Sequence, residues 1–403
     1  MIRSHIIDFN TSSPEKLKLK SIFGNYIIVD NSITGINYSV KQHFPIDKVL
    51  QGRTIGMYIG FNKSSNNLVI IKEFRKVDMN DVSYILRKYN NKSGFAYQEE
   101  LDCWNKGIYS LPLGKATTLL DILNTCDSIK NPELLQECTE KLLKRCDTKN
   151  IYREKKQYIE NKIKNEAFMQ SKFDSKYTSI IQYNETDKFI YLISDMVKGI
   201  NLFDFIHNTP YNNTDILIYL SQKIYNLLIL LLKNEISHCD FRLNNIIITP
   251  NGELQIIDFE FAHFFGNESS DMVILDEFEL NHCNDYSDIY SFGRMLEYMY
   301  TNKFRKKNMI TGNLQGKLTI DTHTPLVSSA FTEYIDNLLL DYHNLNVPRI
   351  PLTINKKQEY IVKQVINEIV NQQFLYKYKK YLEILPPEIL KSNELSELLV
   401  QTT

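Results

Sequence analysis

The sequence predicts an α+β fold, on three observations. Residues 49–74 alternate apolar and polar positions around a short polar turn, which reads as a hairpin of strands. Residues 246–257 form a second hairpin, with β-branched runs on either side of Asn251-Gly252, a turn pair suited to a tight reversal. Long stretches with helical spacing fill the rest, notably 212–232, 288–300 and 355–383. A chain of 403 residues has ample material for a core and for one large or two small domains.

Composition narrows the class. The formal net charge of −1 selects neither nucleic acid nor an anionic membrane as partner. The longest apolar run, Leu227 to Leu232, is too short to span a bilayer, and Met1 to Asn10 lacks the apolar core of a signal peptide. Six cysteines, at 103, 126, 138, 146, 239 and 283, are scattered with no C-x-x-C pair. That spacing predicts reduced thiols and a cytoplasmic setting rather than a disulfide framework or a zinc site.

The chemistry concentrates between Ile236 and Ala262. An apolar helical run leads into His238 and Asp240, and Asn245 follows five residues after the aspartate. The second hairpin then returns to Asp258-Phe259-Glu260. One acid and one amide stand at the mouth of the hairpin, and a second acid stands where its return strand ends. Phosphoryl transfer needs such a set: a carboxylate to orient the attacking hydroxyl, and hard oxygen ligands for a divalent cation.

This stretch resembles the catalytic and metal-binding segments of the protein-kinase superfamily. H-x-D-x-x-x-x-N appears as His238, Asp240 and Asn245, and D-F-G as Asp258-Phe259-Glu260. Val69-Ile70-Ile71-Lys72 resembles the V-A-I-K strand, and Gly52 and Gly56 stand where a glycine-rich loop would cover phosphates, though Gln51 and Arg53 replace two usual glycines. Asp288-Ile289-Tyr290-Ser291-Phe292-Gly293 resembles the motif of a buried large-lobe helix. The run ending at Thr353 resembles the last family motif, with Arg349 as its buried arginine.

The resemblance implies a bilobal protein-kinase-like fold, β-rich in the small lobe and mainly helical in the large lobe. The expected divisions are an N-terminal extension 1–48, a small lobe 49–195 with an insertion at about 75–151, a large lobe 196–355, and a C-terminal helix and tail 356–403. It also implies ATP and Mg2+ or Mn2+ as cofactors, and a protein hydroxyl as acceptor. Asp240 would orient the acceptor and Arg242 would steady the transferred phosphoryl group. Asn245 and Asp258 would ligate the metal. Lys72 would hold the α- and β-phosphates, paired with Glu166 of the helix 152–173, for which Glu160 is a rival. Asp195 to Val197, centred on Met196, would form the hinge that receives adenine, with Ser194 as a small gatekeeper.

Four departures from the family pattern bear on the reading. Glu260 replaces the usual glycine, as in kinases of small molecules such as choline or aminoglycosides, and no clean A-P-E follows, Asp276-Glu277 being the nearest. The depleted glycine loop is compatible with a nucleotide-binding pseudokinase scaffold. Cys239 stands where an arginine usually grips an activation-loop phosphate, which implies activity independent of phosphorylation there. The basic group at Lys303, Arg305, Lys306 and Lys307 reads as solvated surface.

Overall fold

The computed structural model describes residues 26–30, 54–62, 64, 67–78, 148–174, 176–179, 181–208, 214–267, 272–276, 279–305, 318, 329–340 and 343–382. The expected insertion lies outside the described residues except at its two ends, as do Gly52, Trp104 and the cysteines at 103, 126, 138 and 146.

Among the described residues, five strands form the small-lobe sheet: β1 (Tyr26–Asp30), β2 (Gly56–Asn62), β3 (Asn67–Arg75), β4 (Ile181–Glu185) and β5 (Phe189–Asp195). Their spatial order is β1-β2-β3-β5-β4, and each neighbouring pair is antiparallel. The hairpin expected at 49–74 is β2–β3. The expected boundary at residue 49 is corrected, because β1 belongs to this sheet, pairing Tyr26 with Asn62. More than twenty residues separate β1 from β2, so no local pattern joins them.

Strand alternation sets the function of each face of β3. Ile70 and Lys72 face a cleft. Ile71 and Glu73 face the other way, and the buried Glu73 accepts a hydrogen bond from Tyr58 at 3.0 Å. The helix α1 (Thr148–Lys172) lies against this sheet and buries Ile159, Ile163, Glu166 and Met169.

The large lobe follows the hinge. It contains β6 (Ile200–Asn201), α2 (Leu202–Asn208), α3 (Thr214–Lys233), β7 (Ile236–Ser237), β8 (Ile246–Ile248), β9 (Leu254–Ile256) and β10 (His263–Phe264). Beyond these come β11 (Met272–Asp276), β12 (Glu279–His282), α4 (Ser287–Thr301), α5 (Ser329–Leu340) and α6 (Lys356–Leu382). Strands β6, β8 and β9 form a small sheet, so the hairpin expected at Asn251-Gly252 is present as β8–β9. Gly252 has φ +77°, the left-handed conformation that such a turn requires.

Helix α3 is long and apolar enough to cross a membrane by length and composition, although the continuous apolar run within it is short. Its burial explains the composition: ten of its residues, Ile216 to Leu231, are buried in the core of this lobe. A helix apolar on most sides is what a central core position selects. Helix α4 is also almost wholly buried. A Cβ at Gly293 would stand 2.8 Å from the Leu339 side chain, so α5 packs closely only because that position is glycine.

Two expectations about basic residues are corrected. Arg349 is exposed rather than a buried brace. Arg305, expected on a solvated patch, takes the bracing place instead. Its Nε lies 2.6 Å from the buried Glu297 of α4 and its second guanidinium nitrogen lies 2.7 Å from Asp336 of α5. Arg294 pairs with the other oxygen of Glu297. A buried carboxylate needs such partners, since leaving it unpaired costs several kcal/mol, about 3–5.

Candidate active site

Helix α3 delivers the chain to β7, after which the backbone turns sharply. Cys239 has φ +65° and Asp258 has φ +70°, left-handed values that non-glycine residues rarely adopt. The turn at Cys239 is held from below. Buried Asp288, in the first turn of α4, accepts the N–H of His238 at 2.6 Å and of Cys239 at 3.0 Å. Burial pushes the Asp288 carboxyl up to about 7, opposed by those two hydrogen bonds.

His238 is a supporting residue. Its Nε2 lies 3.2 Å from the Ile257 carbonyl, and its Nδ1 accepts the N–H of Asp240 at 3.3 Å. Burial lowers its pKa to about 4, so the ring is neutral. Its ring packs edge-on against Phe259 at 4.7 Å, which ties the two acidic segments together.

Asp240 is only 8 % exposed. The Asn245 amide nitrogen donates to its carboxylate at 2.6 Å and to its backbone carbonyl at 3.0 Å. Arg242 Nε lies 3.0 Å from the other carboxylate oxygen. Burial pushes the Asp240 carboxyl up to about 7, against the pull of Arg242 and with a push from Asp258. With its nitrogen spent twice on Asp240, the Asn245 side chain offers its oxygen outward.

The second acid meets the small lobe. Lys72 Nζ lies 2.6 Å from Glu166 and 2.7 Å from Asp258. Burial alone would lower the Lys72 pKa, but the two carboxylates outweigh it and hold the ammonium charged. Burial likewise favours a neutral Asp258, yet Lys72 beside it draws the carboxyl below its ordinary range. Burial pushes Glu166 up to about 7 while Lys72 opposes it. The partner of Lys72 is thus Glu166 and not the rival Glu160.

Lys72, Glu166 and Asp258 line a cleft of about 350 Å3 between the lobes, and Asn245 links Asp240 to its wall. Lys72, Glu166, Asp195, Met196, Asn245 and Asp258 are on its wall, with Ser194 and Leu192 at the back. The hinge expectation needs one correction: the Met196 N–H donates to the Leu68 carbonyl at 2.7 Å, so it is already engaged by the sheet. Adenine contacts would fall to the backbone of Asp195 and Val197. Gly56 is also corrected. It opens β2 outside the cleft wall, where a Cβ would crowd the Tyr58 hydroxyl at 2.7 Å; its neighbour Met57 lines the cleft instead.

Glu260 has a structural explanation. Its carboxylate lies 3.2 Å from Lys162 of α1, whose ammonium also sits 4.8 Å from the centre of the Phe261 ring. Asn165 adds a hydrogen bond to the Ala262 carbonyl at 2.8 Å. The residue that departs from glycine therefore fastens α1, and with it Glu166, to the segment bearing Asp258.

The expectation of six reduced thiols is corrected at one pair. Cys239 and Cys283 form a disulfide with Cα atoms 5.6 Å apart, across 44 residues of sequence. Both cysteines are buried, and the His263 Nδ1 lies 3.3 Å from Cys239. The bond joins the turn that precedes Asp240 to the residue after β12. Nothing in the local spacing of the cysteines signals it. The other feature missed was the approach of α6 to the cleft, where Lys377 and Tyr378 join the wall.

Comparison with known proteins agrees with this geometry. A protein-family model described as "Protein kinase domain" matches residues 137–339, just over half of the chain. A curated relative, "Probable serine/threonine-protein kinase KIN1 homolog" of Enterocytozoon bieneusi (strain H348), is 28% identical over 118 residues. That match covers 29% of this chain and 20% of the relative. Lys72 lies before the span matched by the family model, and it is the fold that brings it to Glu166 and Asp258, inside that span. With the motifs in place on a two-lobed α+β framework, the chain belongs to the protein kinase domain family.

Proposed function

We propose that this chain is an ATP-dependent protein kinase that transfers the γ-phosphoryl group to a protein hydroxyl, on serine or threonine. The observation that carries the reading is the Lys72 ammonium bridging Glu166 and Asp258 at the cleft, beside Asp240 held by Asn245. Lys72 would hold the α- and β-phosphates, with Glu166 keeping it extended. Asp240, in a site that favours an intermediate pKa, would orient the acceptor hydroxyl and take its proton. Arg242, paired with Asp240 and half exposed, would offset charge on the transferred group.

The donor set fits Mg2+ or Mn2+. Asp258 supplies an anionic oxygen at the cleft and Asn245 a neutral one oriented by its bonds to Asp240, a hard-oxygen pair of the kind these ions prefer. The ion would neutralise charge on the phosphates. Most of the remaining catalysis is positioning, with little covalent work for the protein.

Basal activity would not require phosphorylation of the activation segment. Supporting this, the usual arginine is replaced by Cys239, and the disulfide to Cys283 already links the catalytic turn to the end of that segment. Phosphatase treatment should leave the rate within about twofold. The small Ser194 leaves the rear of the cleft lined by Leu192, Gln170 and Glu166, so bulky purine analogues should inhibit the wild type better than a Ser194→Met variant.

A small-molecule kinase was the reading suggested by Glu260. Its pairing with Lys162 accounts for that residue without a special acceptor. The test is radiolabelled ATP with Mg2+ or Mn2+, offered generic protein or small alcohols. Label on protein that disappears in Asp258→Ala is expected. Label confined to small alcohols would overturn the acceptor assignment, and nucleotide binding without turnover would make the chain a scaffold.

A further inference from the structure

The C-terminal helix is absorbed by neither the small-lobe clamp nor the catalytic turn, yet it reaches the same cleft. Its register shows how. Val362, Ile366, Val370 and Phe374, each four residues apart, are all buried in the large-lobe core. Spacing by four keeps side chains on one helical face. The next position on that stripe is Tyr378, whose ring packs at 4.8 Å on Phe374 and which lines the cleft.

Both ends of the helix are tied down. Near its start, Gln358 bonds Asp215 of α3 at 3.1 Å. Near its end, Lys377 lies 3.4 Å from Asp204 of α2, which also accepts a hydrogen bond from Asn201 at 2.7 Å. From Val362 to Tyr378 the helix advances about 24 Å, the length of a rigid strut under the lobe. It therefore brings an aromatic ring to the hinge side of the cleft, alongside Met196, Val197 and Ile200.

We propose that Tyr378 is a nucleotide-binding residue: α6 completes the hinge side of the site, and the tyrosine ring supplies a flat apolar wall for a purine base. This rests on the reading of the cleft as an ATP site. An aromatic face gains from contact with a base of any identity, so the contribution is to affinity rather than to the chemical step.

The test is calorimetric titration of the full chain with Mg·ATP, comparing wild type, Tyr378→Ala, Tyr378→Phe and Tyr360→Ala, the last an exposed tyrosine of the same helix. Tyr378→Ala should weaken binding about tenfold, about 1.4 kcal/mol, while Tyr378→Phe and Tyr360→Ala bind as wild type. Equal or tighter binding by Tyr378→Ala would overturn the inference and leave the ATP reading intact. Failure of the wild type to bind would remove the ATP reading itself. Should Tyr378→Ala not fold, hydrogen exchange of wild-type α6 decides: protection at 374–382 on adding Mg·ATP supports the assignment, and none refutes it.

Discussion

The two halves of the cleft are held in different ways. On the large-lobe side, Asp240 sits on a turn braced by Asp288, His238 and Asn245, all buried and all joined by hydrogen bonds within one lobe. On the small-lobe side, Lys72 pairs with Glu166 of the same lobe and reaches Asp258 of the other, and α1 is fastened by Lys162–Glu260 and Asn165–Ala262. Asp240 is thus set by folding of one lobe, whereas Lys72 is set by how the lobes meet. Replacing residues on the first side should cost stability or the chemical step. Replacing them on the second should cost activity, with stability lost where the buried Glu166 is left unpaired.

The largest effect expected is at Asp240. Asp240→Asn keeps the shape and should reduce kcat about 10²–10⁴-fold, the usual contribution of a positioned base, far beyond the stability change from turning one amide hydrogen toward Asn245 or Arg242. A residual rate within tenfold of wild type would remove Asp240 from the chemistry. In the same lobe but away from the cleft, Arg305→Ala should cost about 3 kcal/mol by leaving Glu297 and Asp336 short of a partner. Denaturant titration reads this directly, and a loss below about 0.5 kcal/mol would mean that the pair is solvated.

Across the interface, Lys72→Met should lower kcat/KM about a hundredfold and also destabilise the fold, because the buried Glu166 loses its partner. Glu166→Gln should cost about tenfold, because the lysine keeps Asp258 as partner. If Glu166→Gln proved as damaging as Lys72→Met, the lysine would depend wholly on α1 and the contrast between the halves would sharpen. Glu260→Gly should fall below both, since a partly exposed ion pair contributes about 0.2–1 kcal/mol.

The pH dependence separates the halves again. With the Asp240 pKa near 7, kcat/KM should rise with pH up to about 7 and then level. Stability should move the other way. Glu166, Asp240 and Asp288 have carboxyl pKa values raised on folding to about 7, so the folded chain binds more protons than the unfolded chain between about pH 4.5 and 7. Their contribution to stability is therefore lost as pH rises through that window. Asp258, whose pKa is lowered, acts only below it. Melting curves at pH 5.5 and 7.5 check the sign, and Asp288→Asn should flatten the difference.

The contrast also explains what the sequence alone could reveal. The grouping of Asp240, Asn245 and Asp258 was legible because they flank a single hairpin, where spacing translates directly into geometry. The placement of Asp288 at the start of a buried helix was legible through its resemblance to a family motif. Features made by distant segments were not. Strand β1, the Arg305–Glu297–Asp336 cluster and the Cys239–Cys283 bond each depend on where the chain returns after many residues. Lys72–Glu166 spans 94 residues and was legible only through its resemblance to a family pairing.

Phe259 carries a final consequence. It is completely buried, with its ring 5.6 Å from Phe173 beyond the end of α1 and 4.7 Å from His238. Swinging that ring outward would empty a space the size of a benzyl group, at a cost of about 3–5 kcal/mol by analogy with truncating a core phenylalanine. Drug-like compounds that require the ring to vacate its seat would forfeit that energy as affinity, a loss of two to three powers of ten or more. Chemists seeking a selective ligand for this cleft would do better to grow scaffolds past Ser194 than to pry the aromatic from its socket.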